Sequence, residues 1–240
     1  MLKNKRVLIN GCSFSRGSGS WPYWLQSKTG CNIVNLSQCG AGNKYIHQST
    51  ITELARREYD LVLIMWGGLS WVDCQVEDIE KFKNIEYTSL NQSKLNDWPE
   101  KQIIPINDQD YVEKNWIFAV TNNDDELKKL NFCATQFEYM GKKEHLTQSL
   151  IHMIGLQNTL KQLQLHYVFS FYKDYQPALK QHELYKFLDL ENVCNTVNLA
   201  SLAHEKDMYD NTDHPTVEAY NLWSDVMLTH LKTKTYAKTA

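Results

Sequence analysis

Short apolar runs alternate along the chain with longer stretches in which apolar residues recur at helical spacing. The first run, Val7-Leu8-Ile9, belongs to a strand predicted over residues 6–10; it ends at Gly11 and then presents Ser13. Residues 32–36 read as a second strand. Leu61 to Trp66 is an unbroken apolar run after Asp60, as expected for a central parallel strand covered on both faces, and Gly67-Gly68 stops it. His166 to Phe171 gives a fourth strand, and a short fifth is expected around 192–197. Between these runs lie helices. One begins near Trp21-Pro22, capped by Ser18-Gly19-Ser20, with proline in the first turn where its missing N–H does no harm. It ends at Gly30, and Trp21, Trp24 and Leu25 face the sheet. A second helix is expected from about 43 to 58, with Ile46, Ile51, Leu54 and Ala55 inward. A long helical pattern covers about 132–165, from Phe137 and Met140 to Leu160 and Leu163, interrupted by Gly141 and Gly155. Helical turns follow at 177–189, and Pro215 opens a last helix carrying Ala219, Leu222, Trp223, Val226 and Met227 on one face.

Strand and helix alternate throughout, which predicts an α/β fold: a three-layer α/β/α sandwich around a mainly parallel, roughly five-stranded sheet. No repeat or linker divides the chain, so residues 1–240 are expected to form one domain. The stretch at about 73–130 breaks the rhythm. It is polar, with isolated aromatics such as Tyr87, Trp98 and Tyr111, and reads as an insertion on the strand-end face, a lid or partner surface. Short helices are expected within it at 77–83 and 124–130.

Composition narrows the function. Apolar residues make up 42% of 240, enough for a sizeable core. A net charge of −3 and a pI near 6.2 argue against binding nucleic acid. The apolar stretch after Met1 is too short for a signal peptide, and no run approaches a membrane span, so a cytoplasmic protein without a membrane partner is expected. The six cysteines, Cys12, Cys31, Cys39, Cys74, Cys133 and Cys194, show neither Cys-x-x-Cys spacing nor a zinc-like histidine pairing. Free thiols and no metal site are the expectation.

Four turns carry candidate chemistry: Gly11-Cys12-Ser13, Cys39 to Asn43, Gly67 to Ser70, and Asp210 to His214. In a doubly wound sheet the first three converge on the carboxyl edge, where ligands bind. A hydroxyl nucleophile needs a base and donors for a developing oxyanion. Ser13 can be the nucleophile, His214 the base, and the Ser13 and Gly40 amides the donors.

This order and spacing resemble the SGNH (GDSL-like) hydrolases. Gly11-Cys12-Ser13-Phe14-Ser15 looks like the family's first block, with Cys12 where Asp is frequent. Asn35 to Gly40 looks like the second, whose glycine donates to the oxyanion. Trp66-Gly67-Gly68-Leu69 stands where the third block has Gly-x-Asn-Asp. Asp213-His214-Pro215-Thr216 looks like the last block. Together with Trp21-Pro22 and Gly40-Ala41-Gly42-Asn43, these suggest a divergent branch of the kind common in phage genomes.

The resemblance implies a flavodoxin-like sandwich and a serine esterase or deacylase. It would act through an acyl-enzyme on a small-molecule or glycan acyl ester, with no cofactor and no metal. The implied catalytic residues are Ser13 and His214, with Asp213 or Asp210 orienting the imidazole; Gly40, Asn43 and Gly67 would bind the oxyanion or substrate. Two positions depart from the pattern. Leu69 stands near the third-block asparagine, leaving Asn43 or Ser70 as its substitutes. Asn211 occupies the position three before the histidine where the family has Asp, and asparagine cannot stabilise an imidazolium by charge. The alternative is therefore a catalytically weak or inactive module on the same scaffold that binds a partner through the 73–130 stretch. A nucleotide binder using the Gly40-Ala41-Gly42 turn ranks last, because no Gly-x-Gly-x-x-Gly run or P-loop lysine accompanies it. Taken singly, Ser13 could merely close a turn, His214 could be a surface residue, and Asp210 and Asp213 could be helix-start charges. Cys12 reads as a small buried packer, and His145, His152 and His166 as structural or surface groups.

Overall fold

The computed structural model describes residues 2–69, 71–75, 116–119, 142–194, 196–211 and 214–237. Five parallel strands form the central sheet: β1 (Arg6–Gly11), β2 (Asn32–Asn35), β3 (Leu61–Trp66), β6 (His166–Phe171) and β7 (Val193–Cys194). Their order is β2-β1-β3-β6-β7. The sequence-based reading of the fold thus holds, and the chain reverses its winding direction between β1 and β3. In such sheets that reversal opens a crevice at the carboxyl ends of the two strands.

The strands alternate faces with a period of two. Leu8, Val62, Ile64, Trp66 and Phe169 belong to one core cluster, with Tyr45 and Ile46 of α2 (Asn43–Leu54) and Leu150 and Met153 of α3 (Lys142–Gln162). Val7, Ile9, Leu63, Met65 and Val168 belong to the other, with Trp21 and Leu25 of α1 (Trp21–Thr29) and Trp223 and Met227 of α6 (Val217–Ala237). Both faces are covered, so the strands are apolar on both sides, which is why β3 reads as a continuous run. Two short helices complete the set: α4 (Gln176–Lys180) and α5 (Leu199–Glu205).

Several boundaries differ from expectation for local reasons. Ser20 holds the N-cap position of α1 but its Oγ donates to the Gly17 carbonyl at 2.7 Å instead of capping the helix. Helix α2 stops at Leu54, after which the Arg56 and Arg57 amides both turn back to the Glu53 carbonyl. Pro215 pairs with Tyr209 in an isolated antiparallel bridge, and α6 begins only at Val217.

The chain also forms a hairpin that the hydrophobic pattern did not announce. Strands β4 (Val72–Gln75) and β5 (Trp116–Ala119) pair antiparallel in a separate sheet, with Gln75 opposite Trp116. The helices expected at 77–83 and 124–130, and the start of the long helical pattern at 132–141, lie outside the described residues. Among the described residues, no helix is long and apolar enough to cross a membrane.

Candidate active site

The site begins where β1 ends. Ser13–Ser15 make one 3₁₀ turn, closed by the Ser15 amide on the Cys12 carbonyl at 3.0 Å. The turn is tight because Gly11 has no side chain. A Cβ there would lie 2.7 Å from Ser15 Oγ and 2.8 Å from the Met65 carbonyl. Ser15 Oγ in turn accepts the Trp21 indole N–H at 2.9 Å, which ties the turn to the start of α1. Asn35 fixes it to the loop after β2: Nδ2 donates to the Ser15 carbonyl at 2.7 Å, and Oδ1 accepts the Ser37 amide at 3.1 Å. Each bond satisfies a loop polar group that the packing would otherwise strand.

That second loop carries Gly40. The Ala41 amide closes a turn on the Gln38 carbonyl at 3.2 Å, and Gly40 within it has φ 75°, a left-handed conformation that glycine adopts without strain. The Gln38 amide donates to the Gly11 carbonyl at 3.2 Å, so the two turns share a hydrogen bond.

The last loop returns from the other end of the chain. The Asp210 amide donates to the His214 carbonyl at 2.8 Å, and the His214 amide donates to Asp210 Oδ1 at 3.1 Å. The Thr216 amide bonds the Met208 carbonyl at 2.9 Å. This closed loop presents the imidazole to the first turn: His214 Nε2 lies 3.1 Å from Ser13 Oγ, across 201 residues of sequence. Both side chains are half-buried.

An aromatic stack backs the pair. Phe14 lies against the His214 ring at 5.0 Å between centroids and 26° between planes. Tyr172 stacks on Phe14 at 4.3 Å and 13°, and Trp71 stacks on Tyr172 at 5.8 Å and 27°. The Tyr175 hydroxyl donates to the Tyr172 hydroxyl at 2.8 Å. Burial pushes both phenols upward, so they stay protonated donors at neutral pH. Tyr175 also lines a cleft of about 330 Å³ beyond β6 and β7, alongside Lys173, Asp174, Asn198 and Glu205.

The structure thus brings Ser13 and His214 together, with Asp210 on the His214 main chain. Asp213 and Ser70 lie outside the described residues, while Asn211 is exposed. Asn43 and Gly67 are arranged differently from the expectation that they serve an oxyanion. Asn43 is 2% exposed; its Oδ1 accepts the Gly67 amide at 3.0 Å, and its Nδ2 donates to Ser149 Oγ at 3.0 Å. The two residues brace the end of β3 against α3, and the Gly67 N–H is already engaged. Cys12 is fully buried, and desolvation pushes its thiol up to about 12, which keeps it protonated beside the serine. Sequence reasoning did not single out the Phe14–Tyr172 stack; the Phe after Gly-Cys-Ser was the available sign. Among the described residues no group of three or more metal-ligating side chains occurs.

Comparison with family models and with curated proteins gives no match. Among solved structures, the chain is similar to a psychrotrophic esterase, EstA, from Pseudoalteromonas sp. The identity is 13%, the alignment covers 97% of this chain and 99% of that one, and the TM-score is 0.52. A variant acetyl xylan esterase from Geobacillus stearothermophilus aligns at 12% identity over 95% of this chain and 94% of that one, with a TM-score of 0.47. The chain has the α/β fold of the first.

Proposed function

We propose that this chain is a serine hydrolase of the SGNH (GDSL-like) type, in a divergent phage-type branch, cleaving a carboxylic ester through an acyl-enzyme. The observation that carries the reading is the 3.1 Å approach of Ser13 Oγ to His214 Nε2. That distance suits proton transfer from hydroxyl to imidazole when the ring proton sits on Nδ1. Ser13 attacks the acyl carbonyl as His214 takes its proton. Negative charge develops on the carbonyl oxygen, where the amides of Ser13 and Gly40 donate. His214 then returns the proton to the departing alcohol, and water repeats the cycle on the acyl-enzyme. A carboxylate of the same loop, Asp213 or Asp210, orients the imidazole, and Asp210 also accepts the His214 amide. The scheme needs neither metal nor organic cofactor.

The likeness in fold to an esterase supports this reading, as does the convergence of three turns at the reversal point of the sheet. Residues 1–240 then act as one catalytic domain with 73–130 as its insertion, and the four described free cysteines suit a reducing cytoplasm. The test is covalent labelling. A fluorophosphonate should modify Ser13, located by mass spectrometry, and spare Ser13→Ala. An unlabelled wild-type protein overturns the proposal.

A second reading is favoured by one observation: Asn43 and Gly67 bond each other, so the third-block donor has no described replacement. On that reading the scaffold binds a partner through the 73–130 stretch, with weak or no turnover. Captured partner without labelling of Ser13 would favour it.

A further inference from the structure

Asp73 reaches the rim of the site from an element the mechanism above does not use. It lies in β4, the strand that opens the hairpin, and is 4% exposed. Its Oδ1 accepts the Gly42 amide at 2.7 Å and its Oδ2 the Tyr45 amide at 2.8 Å. Gly42 is the N-cap of α2 and has no side chain with which to cap. A carboxylate 31 residues away does so instead, meeting the N-cap amide, a first-turn amide and the positive end of a 12-residue helix. The glycine at 42 follows from this contact. A Cβ there would lie 2.7 Å from Oδ1 and 2.8 Å from Oδ2.

Gly42 is two residues beyond Gly40. The turn that carries the Gly40 amide is therefore held at both ends. The Gln38 amide grips the Gly11 carbonyl at one end, and Asp73 grips Gly42 at the other. An oxyanion donor works only if its N–H is fixed before charge develops, and a displacement of about 1 Å can cost roughly a hundredfold in rate.

We propose that Asp73 is a positioning residue for the oxyanion turn, clamping Gly42 and Tyr45 so that the Gly40 amide is fixed relative to Ser13, and coupling the β4–β5 hairpin to the site. The proposal rests on the esterase reading above. The hairpin thereby acts on the chemistry through one carboxylate, and a ligand that shifts β4 changes the donor geometry without touching Ser13 or His214.

Three measurements test it. In the wild-type protein, the Gly42 and Tyr45 amides should exchange with deuterium slowly, in step with the interior of α2; free exchange at both would mean that the clamp does not exist. Asp73→Asn removes the charge and sets an amide group against an N–H. Asp73→Ser shortens the arm and serves if the first variant fails to fold. For each folded variant, kcat on p-nitrophenyl acetate is measured per active site titrated with a fluorophosphonate. The expected result is a fall of roughly tenfold to a hundredfold in kcat, with KM within about threefold of wild type. A residue that only stabilises the fold would lower the melting temperature and the titratable fraction but leave kcat per titrated site unchanged. That outcome, within twofold of wild type, overturns the role of Asp73 alone. Wild-type protein that neither turns over the ester nor takes the label defeats the esterase reading, and this inference with it.

Discussion

Phe14 follows the proposed nucleophile and lies on the face of the proposed base, with Tyr172 stacked behind it. Stacked rings of this kind are worth about 0.5–1.5 kcal/mol beyond their burial, enough to favour one orientation of an imidazole on a surface loop. Phe14→Ala should therefore lower kcat/KM on a small ester by roughly tenfold while leaving most of the fold intact, and Phe14→Tyr should restore it. Steady-state kinetics with a melting curve for each variant checks this, and an unchanged kcat/KM for Phe14→Ala would remove the stack from the mechanism. Ser13 and His214 were legible in the sequence because each follows a local rule: a strand stopped at glycine, and a histidine before a helix-opening segment. The stack was not legible, because its contacts join residues 14, 172 and 214. Nothing in the neighbourhood of any one of them reveals the other two. The partners of Asn43 were not legible either. Its place beside the glycine turn suggested a donor to ligand, yet its amide is spent inside the fold.

Helices α2 and α3 meet across polar contacts that set the stability of this face. Asn43 links the two, and Asn43→Ala would leave the buried Gly67 N–H without its acceptor at a cost of about 1–3 kcal/mol. Urea unfolding at pH 7.5 measures that loss directly. The same interface holds His47 and His152, whose Nδ1 atoms lie 3.4 Å apart. Burial lowers both, and His152, with His47 and Lys44 nearby, is held down to about 4 against an ordinary 6.5. Between those values the unfolded chain binds more protons than the folded one, so stability falls as pH drops from about 6.5 toward 4 and is unaffected above that window. His152→Gln should flatten the fall of melting temperature between pH 7 and about 4.5; a slope equal to wild type would place the acid sensitivity elsewhere. The elements themselves were largely readable. The apolar run of β3 and the inward stripe of α6 follow from burial on a fixed period. The hairpin escaped because β4 and β5 are each four residues long and pair outside the main sheet, so no period accumulates.

At the scale of the molecule, the sheet and its two covering layers are built from described residues that lie outside the stretch between Gln75 and Trp116. The hairpin register makes that independence testable, because Gln75 and Trp116 face each other directly. Two residues joining such a pair form the standard two-residue hairpin turn, for which Asn-Gly is well suited. A chain with Asn-Gly in place of 76–115 keeps β4, and hence Asp73 on Gly42 and Tyr45. It should fold with the far-ultraviolet spectrum of an α/β protein, and its melting temperature should lie within a few degrees of the parent. If the replaced stretch seats the substrate or a partner, the shortened protein should still take a small fluorophosphonate on Ser13 and hydrolyse p-nitrophenyl acetate within about threefold of wild type. Its turnover of bulky acyl esters, or its capture of a partner, should disappear. A shortened chain that cannot fold would make the stretch part of the core architecture. One that folds but loses labelling would make it part of the catalytic centre. Because the shortened chain retains Asp73, a loss of labelling would not come from removing the carboxylate that accepts the Gly42 and Tyr45 amides.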